Sequence, residues 1–312
     1  MKVCYIGSCG HWSQTYYTIK KMTEVQVCGF APGHSREMQS SPLDPTVPFF
    51  DDYQQMLDEI KPDLTIVSPV FRLTGQIILQ CAGRGIDIFA EKPVASSMEE
   101  LDKIQQIVKE KKIRFGAMHY LRFTPAFYEA AKMVHNGEIG QVRMLTAQKS
   151  YRYGTRPEWY ADRELYGGTI PWVGIHAIDW IAHFAQKRFR TATAQSIGKN
   201  PEMAALCQFT LEEDIIASVN IDYYRPSAAP THGDDRVRCV GTEGVIEVKD
   251  NSIRLINGNG SKTFMPNTAP DMFMEFLKGN DPIPVDEIFH ITKTAIAARD
   301  SADLGKTIWI ES

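Results

Sequence analysis

The six cysteines, Cys4, Cys9, Cys28, Cys81, Cys207 and Cys239, contain no C-x-x-C pair, and none has a histidine at zinc-ligand spacing. No metal is implied, and the thiols read as reduced, mostly buried side chains of a cytoplasmic protein. No apolar run reaches membrane-spanning length, and the N-terminus has no basic stretch followed by a long apolar core. A basic stripe is also missing: 34 Lys and Arg against 38 Asp and Glu are spread along the chain, for a net charge of -4. Neither nucleic acid nor a membrane surface is therefore expected as a partner. Internal repeats, low-complexity tracts and Gly/Ser linkers are absent too. What is present is 312 residues with 43% hydrophobic and 23% charged side chains, enough for a full core and two domains working on a small molecule.

Short apolar runs at 3–6, 25–30, 64–67, 86–90 and 113–118 alternate with segments of helical periodicity at 76–83 and 98–111. The segment after Gly7 can form a further helix through about residue 22. This alternation predicts βαβ units and a parallel, doubly wound sheet over residues 1–120. Beyond Tyr120 a helix at 125–136 is followed by apolar-polar alternations such as 141–151 and 215–224, with glycine turns at 241–244 and 258–260. Residues 121–312 are thus expected to form an α/β domain with an open, mainly antiparallel sheet covered by helices on one face. The helix at 284–304 is free to pack back on the first domain, and a last strand at 307–310 ends the chain. A ligand is expected at the boundary between the domains.

The first strand is followed by Gly7-Ser8-Cys9-Gly10-His11-Trp12, where a dinucleotide-binding fold carries G-x-G-x-x-G and sets a pyrophosphate on a helix N-terminus. Only Gly7 is in register. Cys9 stands at the second glycine position and Trp12 at the third, while Gly10 can supply a positive φ. An ordinary βα turn with a buried tryptophan is the competing reading. From Ala31 onward no Asp or Glu precedes Glu37 to bind ribose hydroxyls, and Ser35 and Arg36 could take a 2′-phosphate. That weights NADP over NAD, with solvated loop residues as the alternative.

Glu91-Lys92-Pro93 ends the run at 86–90, at the sheet edge where ligands sit in open α/β folds. A lysine there can donate to a substrate oxygen if burial and neighbours lower its pKa, whereas its plain reading is a surface lysine. With the glycine turn, Ser68-Pro69, Glu91-Lys92-Pro93 and the change of texture near residue 120, the chain resembles the glucose-fructose oxidoreductase / inositol dehydrogenase / MocA family. Further matches are Arg122-Phe123-Thr124-Pro125, Asn136-Gly137-Glu138-Ile139-Gly140, Gly167-Gly168 and Gly174-Ile175-His176-Ala177-Ile178-Asp179. Gly241-Thr242-Glu243-Gly244 and Ser301-Ala302-Asp303-Leu304-Gly305-Lys306 extend the likeness over nearly the whole chain.

The resemblance implies an N-terminal Rossmann domain binding NAD or NADP, and a C-terminal domain whose open sheet assembles homodimers or homotetramers. It implies that Lys92 lies beside the nicotinamide and contacts the reacting hydroxyl, while His176 accepts its proton. Residues 7–12, Ala31, Ser35, Arg36, Ser68, Pro69, Glu91, Pro93 and Tyr120 are then the candidates for holding the cofactor. Three positions depart from the family pattern: Trp172 replaces a common Asp one turn before His176, Tyr120 replaces Asn, and no His follows Ser68-Pro69. Trp172 is either a stacking platform for a sugar or a core residue. Asp179, one turn after His176, is either a substrate contact or a residue that positions the helix. The polar-aromatic stretch 151–160 places Arg156, Trp159 and Tyr160 as contacts for a polyol or acidic sugar, against the alternative of solvated arginines and packed aromatics.

The expected activity is hydride transfer between nicotinamide and a secondary alcohol or ketone of a sugar, inositol or sugar acid. Two other readings stay open: a non-catalytic dinucleotide or sugar sensor or scaffold on the same fold, and an NAD-dependent glycoside-cleaving enzyme.

Overall fold

The computed structural model describes residues 1–34, 44–198 and 201–311. The chain divides into two units: Met1–Met118 with Glu164–Gly167 and Met272–Thr292, and His119–Arg163 with Gly168–Asp271 and Lys293–Ser312.

In the first unit β1 (Lys2–Ile6), β2 (Gln26–Ala31), β3 (Leu64–Val67), β4 (Asp87–Ala90) and β5 (Phe115–Ala117) form one parallel sheet in the order β2-β1-β3-β4-β5. The order reverses at β1, which makes its carboxyl end the switch point where such sheets bind ligands. The sheet's central strands are mostly apolar and buried because both faces are covered. Their connections run through α1 (Trp12–Ile19), α2 (Tyr53–Ile60), α3 (Thr74–Gly83) and α4 (Met98–Lys111). Helix α4 has complete end signals: Ser97 accepts from the Glu100 N–H at 3.2 Å, Glu99 and Glu100 occupy the first turn, and Lys109 and Lys111 the last. Helix α1 has no such side-chain cap, because its N-cap residue His11 is engaged elsewhere.

The second unit is built on a nine-stranded sheet of β6 (Val142–Tyr151), β7 (Phe189–Ile197), β8 (Ala204–Leu211), β9 (Ile216–Asp222), β10 (Gly233–Gly241), β11 (Gly244–Lys249), β12 (Ser252–Asn257), β13 (Gly260–Phe264) and β14 (Ile308–Trp309). Its order is β13-β12-β11-β10-β6-β9-β8-β7-β14, antiparallel except for the parallel pair β6 and β9. Alternation sorts each strand: Leu145, Ala147 and Lys149 face inward on β6, while Met144 and Thr146 line a groove on the other face. Helices α5 (Pro125–His135) and α7 (Ile175–Ala185) cover the inner face, stacked on each other through Phe127 and Trp180 at 4.3 Å. Between them in the chain lies the one-turn helix α6 (Arg163–Tyr166).

Two further helices complete the chain, α8 (Met272–Leu277) and α9 (Val285–Leu304). Helix α8 belongs to the first unit and packs Phe273 and Phe276 on Phe89 of β4, at 4.7 and 5.0 Å between ring centroids. Such aromatic pairs contribute about 0.5–1.5 kcal/mol each beyond their buried area, and here they fix the strand that leads into Lys92. Among the described residues, no helix is long and apolar enough to cross a membrane.

Candidate active site

At the carboxyl edge of the parallel sheet, three chain segments lock together. Gly7 has φ +81°, and a β-carbon there would collide with Ser68 O and Pro69. Its N–H donates to Ala31 O at 2.9 Å, and the Cys9 N–H donates to Ser68 O at 2.8 Å. The fully buried Ser68 hydroxyl donates to Cys9 O, so β3 holds the turn from both sides. Gly10 has φ +68°, and any β-carbon would overlap the Glu91 carboxylate. Only glycine fits either position.

Glu91 is fully buried and anchors this turn to β4. Its carboxylate accepts the His11 N–H at 2.5 Å, faces His11 Nδ1 at 3.0 Å and accepts the Lys92 N–H at 3.0 Å. Burial pushes the carboxyl up, but the charges of His11 and Lys92 and the hydrogen bonds from His11 outweigh it, leaving the group below the ordinary glutamate range. Lys92 is 1% exposed with Nζ 3.7 Å from Glu91 Oε1, and its peptide bond to Pro93 is cis. The Glu91 side chain is engaged within the protein, its oxygens accepting from His11 and Lys92. The same holds for the ring of Trp12, which packs edge-on against Tyr5 and Phe30 at 6.0 and 6.3 Å in the core. Aromatic packing thus replaces the close helix–strand approach that a third glycine would give. Ser35 and Arg36 lie outside the described residues.

In the second unit His176 is 2% exposed and sits in the first turn of α7, directly after a π-helical turn, Ile170–Gly174. Buried Glu202 starts that turn by accepting the Thr169 and Ile170 N–H groups at 2.6 and 3.4 Å. A π-turn widens the helix by one residue per hydrogen-bonded ring and re-aims the side chains that follow. Trp172, within it, is only 7% exposed. Asp179 differs from the expected substrate contact. It is fully buried and takes Arg122 Nε at 3.0 Å and Arg122 Nη2, with His119 Nδ1 at 3.2 Å. Burial pushes the Asp179 carboxyl up while the guanidinium opposes it. Its role is to tie α7 to the turn at Tyr120–Phe123, on which half-buried Tyr120 sits.

Beyond β6, Trp159 and Tyr160 are buried with their rings tilted at 35° and 4.4 Å apart, and the half-buried Arg156 guanidinium lies 5.2 Å from the Tyr160 ring. The sequence reading missed His119, Glu202 and Arg152 as members of these clusters. Each acts through a partner distant in the chain, and no local pattern marks such pairs. Among the described residues no group of three or more His, Cys, Asp and Glu side chains could hold a metal.

Residues 1–119 match the model of the oxidoreductase family with an NAD-binding Rossmann fold, and residues 127–247 match the model of the GFO/IDH/MocA C-terminal domain. A solved structure from Thermotoga maritima is 37% identical, with a TM-score of 0.94 over 99% of this chain and 100% of the other. Among curated relatives, trans-1,2-dihydrobenzene-1,2-diol dehydrogenase of Xenopus tropicalis is 20% identical over 72% of this chain and 68% of its own. The NAD(+)-dependent scyllo-inositol 2-dehydrogenase of Bacillus subtilis is 25% identical over 68% of this chain and 63% of its own. With a glycine turn braced at the switch point of a parallel sheet, a buried lysine at the end of β4 and both domain models matched in order, the chain belongs to the GFO/IDH/MocA family of NAD-binding oxidoreductases.

Proposed function

We propose that the protein is an NAD(P)-dependent dehydrogenase interconverting a secondary alcohol and a ketone on a sugar, inositol or sugar acid, with Lys92 and His176 handling the proton. The observation that carries this reading is buried Lys92 at the carboxyl edge of an NAD-binding sheet, beside a carboxylate that keeps its charge compensated. The glycine turn fits a dinucleotide: it lies at the switch point, and its two positive-φ glycines leave backbone without side chains at the head of α1. When bound, the nicotinamide supplies the acceptor for the hydride that leaves the carbinol carbon. Lys92 Nζ then hydrogen-bonds the reacting oxygen and offsets its developing charge, and the His176 imidazole takes the hydroxyl proton and returns it in the reverse direction. The relatives named above, an inositol and a dihydrodiol dehydrogenase, act on vicinal alcohols by name, which supports the substrate class.

Replacing Lys92 by Met is expected to lower kcat by at least about 100-fold, within the range for loss of a general acid or base, with cofactor affinity kept within a few fold. Turnover of a sugar and polyol panel at the wild-type rate by that variant would remove Lys92 from the chemistry. The absence of a carboxylate between Ala31 and Arg36 favours NADP over NAD, and the larger thermal shift is expected with NADP. A second reading, a sensor that binds without turnover, draws on Cys9 and Trp12 at the glycine positions and Trp172 where a carboxylate would stand. It predicts a cofactor-dependent thermal shift with no NAD(P)H formed from any alcohol offered. We also propose that the chain forms homodimers or homotetramers through the open sheet.

A further inference from the structure

Just beyond the carboxyl end of β6, Arg152 and Arg156 have no ion-pair partner among the described residues. Arg152 follows β6 and donates its backbone N–H to His232 O at 3.1 Å. Arg156, four residues on, lays its guanidinium over Tyr160 and Tyr223, 5.2 and 5.5 Å from the ring centroids, and donates one terminal N–H to Arg152 O at 3.3 Å. The Nε atom of each arginine is buried and meets no acceptor among the described residues. A buried charged donor without an acceptor carries its desolvation penalty uncompensated.

Two of the acids nearby are paired with other cations, and the third, Asp222, is held by neutral donors. Asp235 pairs with Lys149, Asp234 with Arg225 and Arg236, and Asp222 accepts from the Ser150 hydroxyl and the Tyr224 N–H, both at 2.9 Å. The excess positive field registers on His232, which stacks at 5.1 Å on Tyr151. Burial first, then the charges of Arg156, Arg152 and Lys149, hold it below the ordinary histidine range.

The cluster shares one end of the sheet with His176. Gly174, two residues before that histidine, lies against Ile221 of β9, and Ile221 is paired with Lys149 of β6. The Lys149 ammonium in turn lies 5.0 Å from the ring of Trp180, one turn after His176. The start of α7 therefore overlies the strand ends from which Arg152 and Tyr223 emerge.

We propose that Arg152 and Arg156 form an oxyanion subsite for the substrate, so that the molecule oxidised is a sugar acid or another sugar carrying an oxyanion, in preference to a neutral polyol. With the Tyr160 and Tyr223 rings beside it, the Arg156 guanidinium keeps in-plane N–H groups of the kind that bind carboxylate or phosphate. The assignment rests on the dehydrogenase reading for its biological meaning, but binding can be measured without turnover.

The test uses the full-length protein with NAD(P)H present and titrates matched probes by calorimetry: aldonates and uronates, the corresponding alditols, and alditol phosphates. Wild type is expected to bind at least one acid or phosphate about 10-fold or more tightly than its neutral counterpart, the larger of the two identifying the source of the oxyanion. Arg152→Gln and Arg156→Gln should each erase that preference, and Arg156→Lys should restore part of it. Thermal melts confirm that the variants are folded, and any that is not is replaced by its lysine form, for which weakened but charge-dependent binding is expected. Equal affinity for acid and neutral probes, no binding of any charged probe, or a preference that survives both glutamine variants overturns the proposal. Arginine-dependent binding with no turnover of any probe keeps the subsite and sinks the dehydrogenase reading. Turnover of alditols with no arginine-dependent preference does the reverse.

Discussion

Gly10 is where a single hydrogen atom decides the local structure. Alanine there would place a methyl group on the fully buried Glu91 carboxylate and hold a non-glycine residue at φ +68°. A left-handed residue costs about 1–2 kcal/mol before any clash is counted. Gly10→Ala is expected to lower the melting temperature and weaken NADH binding together, and an unchanged melt would show that the turn is not built as described. Glu91 gives a pH signature. Its carboxyl sits below the ordinary value of 4.5 in the folded protein, so its contribution to stability is fully present above that value and lost as pH falls through the folded pKa. Urea unfolding of wild type and Glu91→Gln should therefore differ most near neutrality, and the difference should shrink as pH falls below 4.5 through the folded pKa. A gap that stays constant from pH 7 to pH 3 would contradict the brace. Sequence marked Gly7, Gly10 and Lys92, each from a local pattern. The brace itself was hidden, because Glu91 and its partner His11 are 80 residues apart.

Elements with their own end signals were legible. Helix α4 falls on the predicted 98–111, since serine cap, acidic first turn and basic last turn all lie within it. Helix α2, capped by Asp52, was passed over because eight residues give too little periodicity, and β7 and β8 were not singled out although β8 alternates cleanly. The π-turn at Ile170–Gly174 has no sequence signature, being held by Glu202 more than thirty residues downstream. Helix α7 depends in the same way on the buried Arg122–Asp179 pair. Arg122→Met leaves an uncompensated buried carboxylate and should cost about 3–5 kcal/mol in chemical denaturation, whereas Arg122→Met with Asp179→Leu should recover much of the loss. A cost below about 1 kcal/mol for the single variant would show that the pair does not hold the helix.

At the scale of the whole molecule, the outer face of the nine-stranded sheet carries exposed apolar side chains among polar ones, with Leu206 and Ile216 exposed at 60% and 53%. The homo-oligomer proposed above would cover these side chains at its interface. Light scattering should give a dimer or tetramer for wild type and a smaller species for Leu206→Glu combined with Ile216→Glu; a monomeric wild type would refute the assembly.

The alternation of apolar runs and helical segments was enough, by itself, to specify a parallel sheet followed by an open, mainly antiparallel one, because periodicity and turn chemistry are properties of neighbouring residues. It also delivered Lys92 to a strand end and His176 to a helix. Tertiary structure alone decided that Trp12 is core, that Glu91 and Asp179 are braces, and that Arg152 and Arg156 meet no acid among the described residues. Those outcomes depend on which distant side chains share a buried volume, where an ionic group must find a partner or carry its desolvation cost, and no local pattern records that pairing.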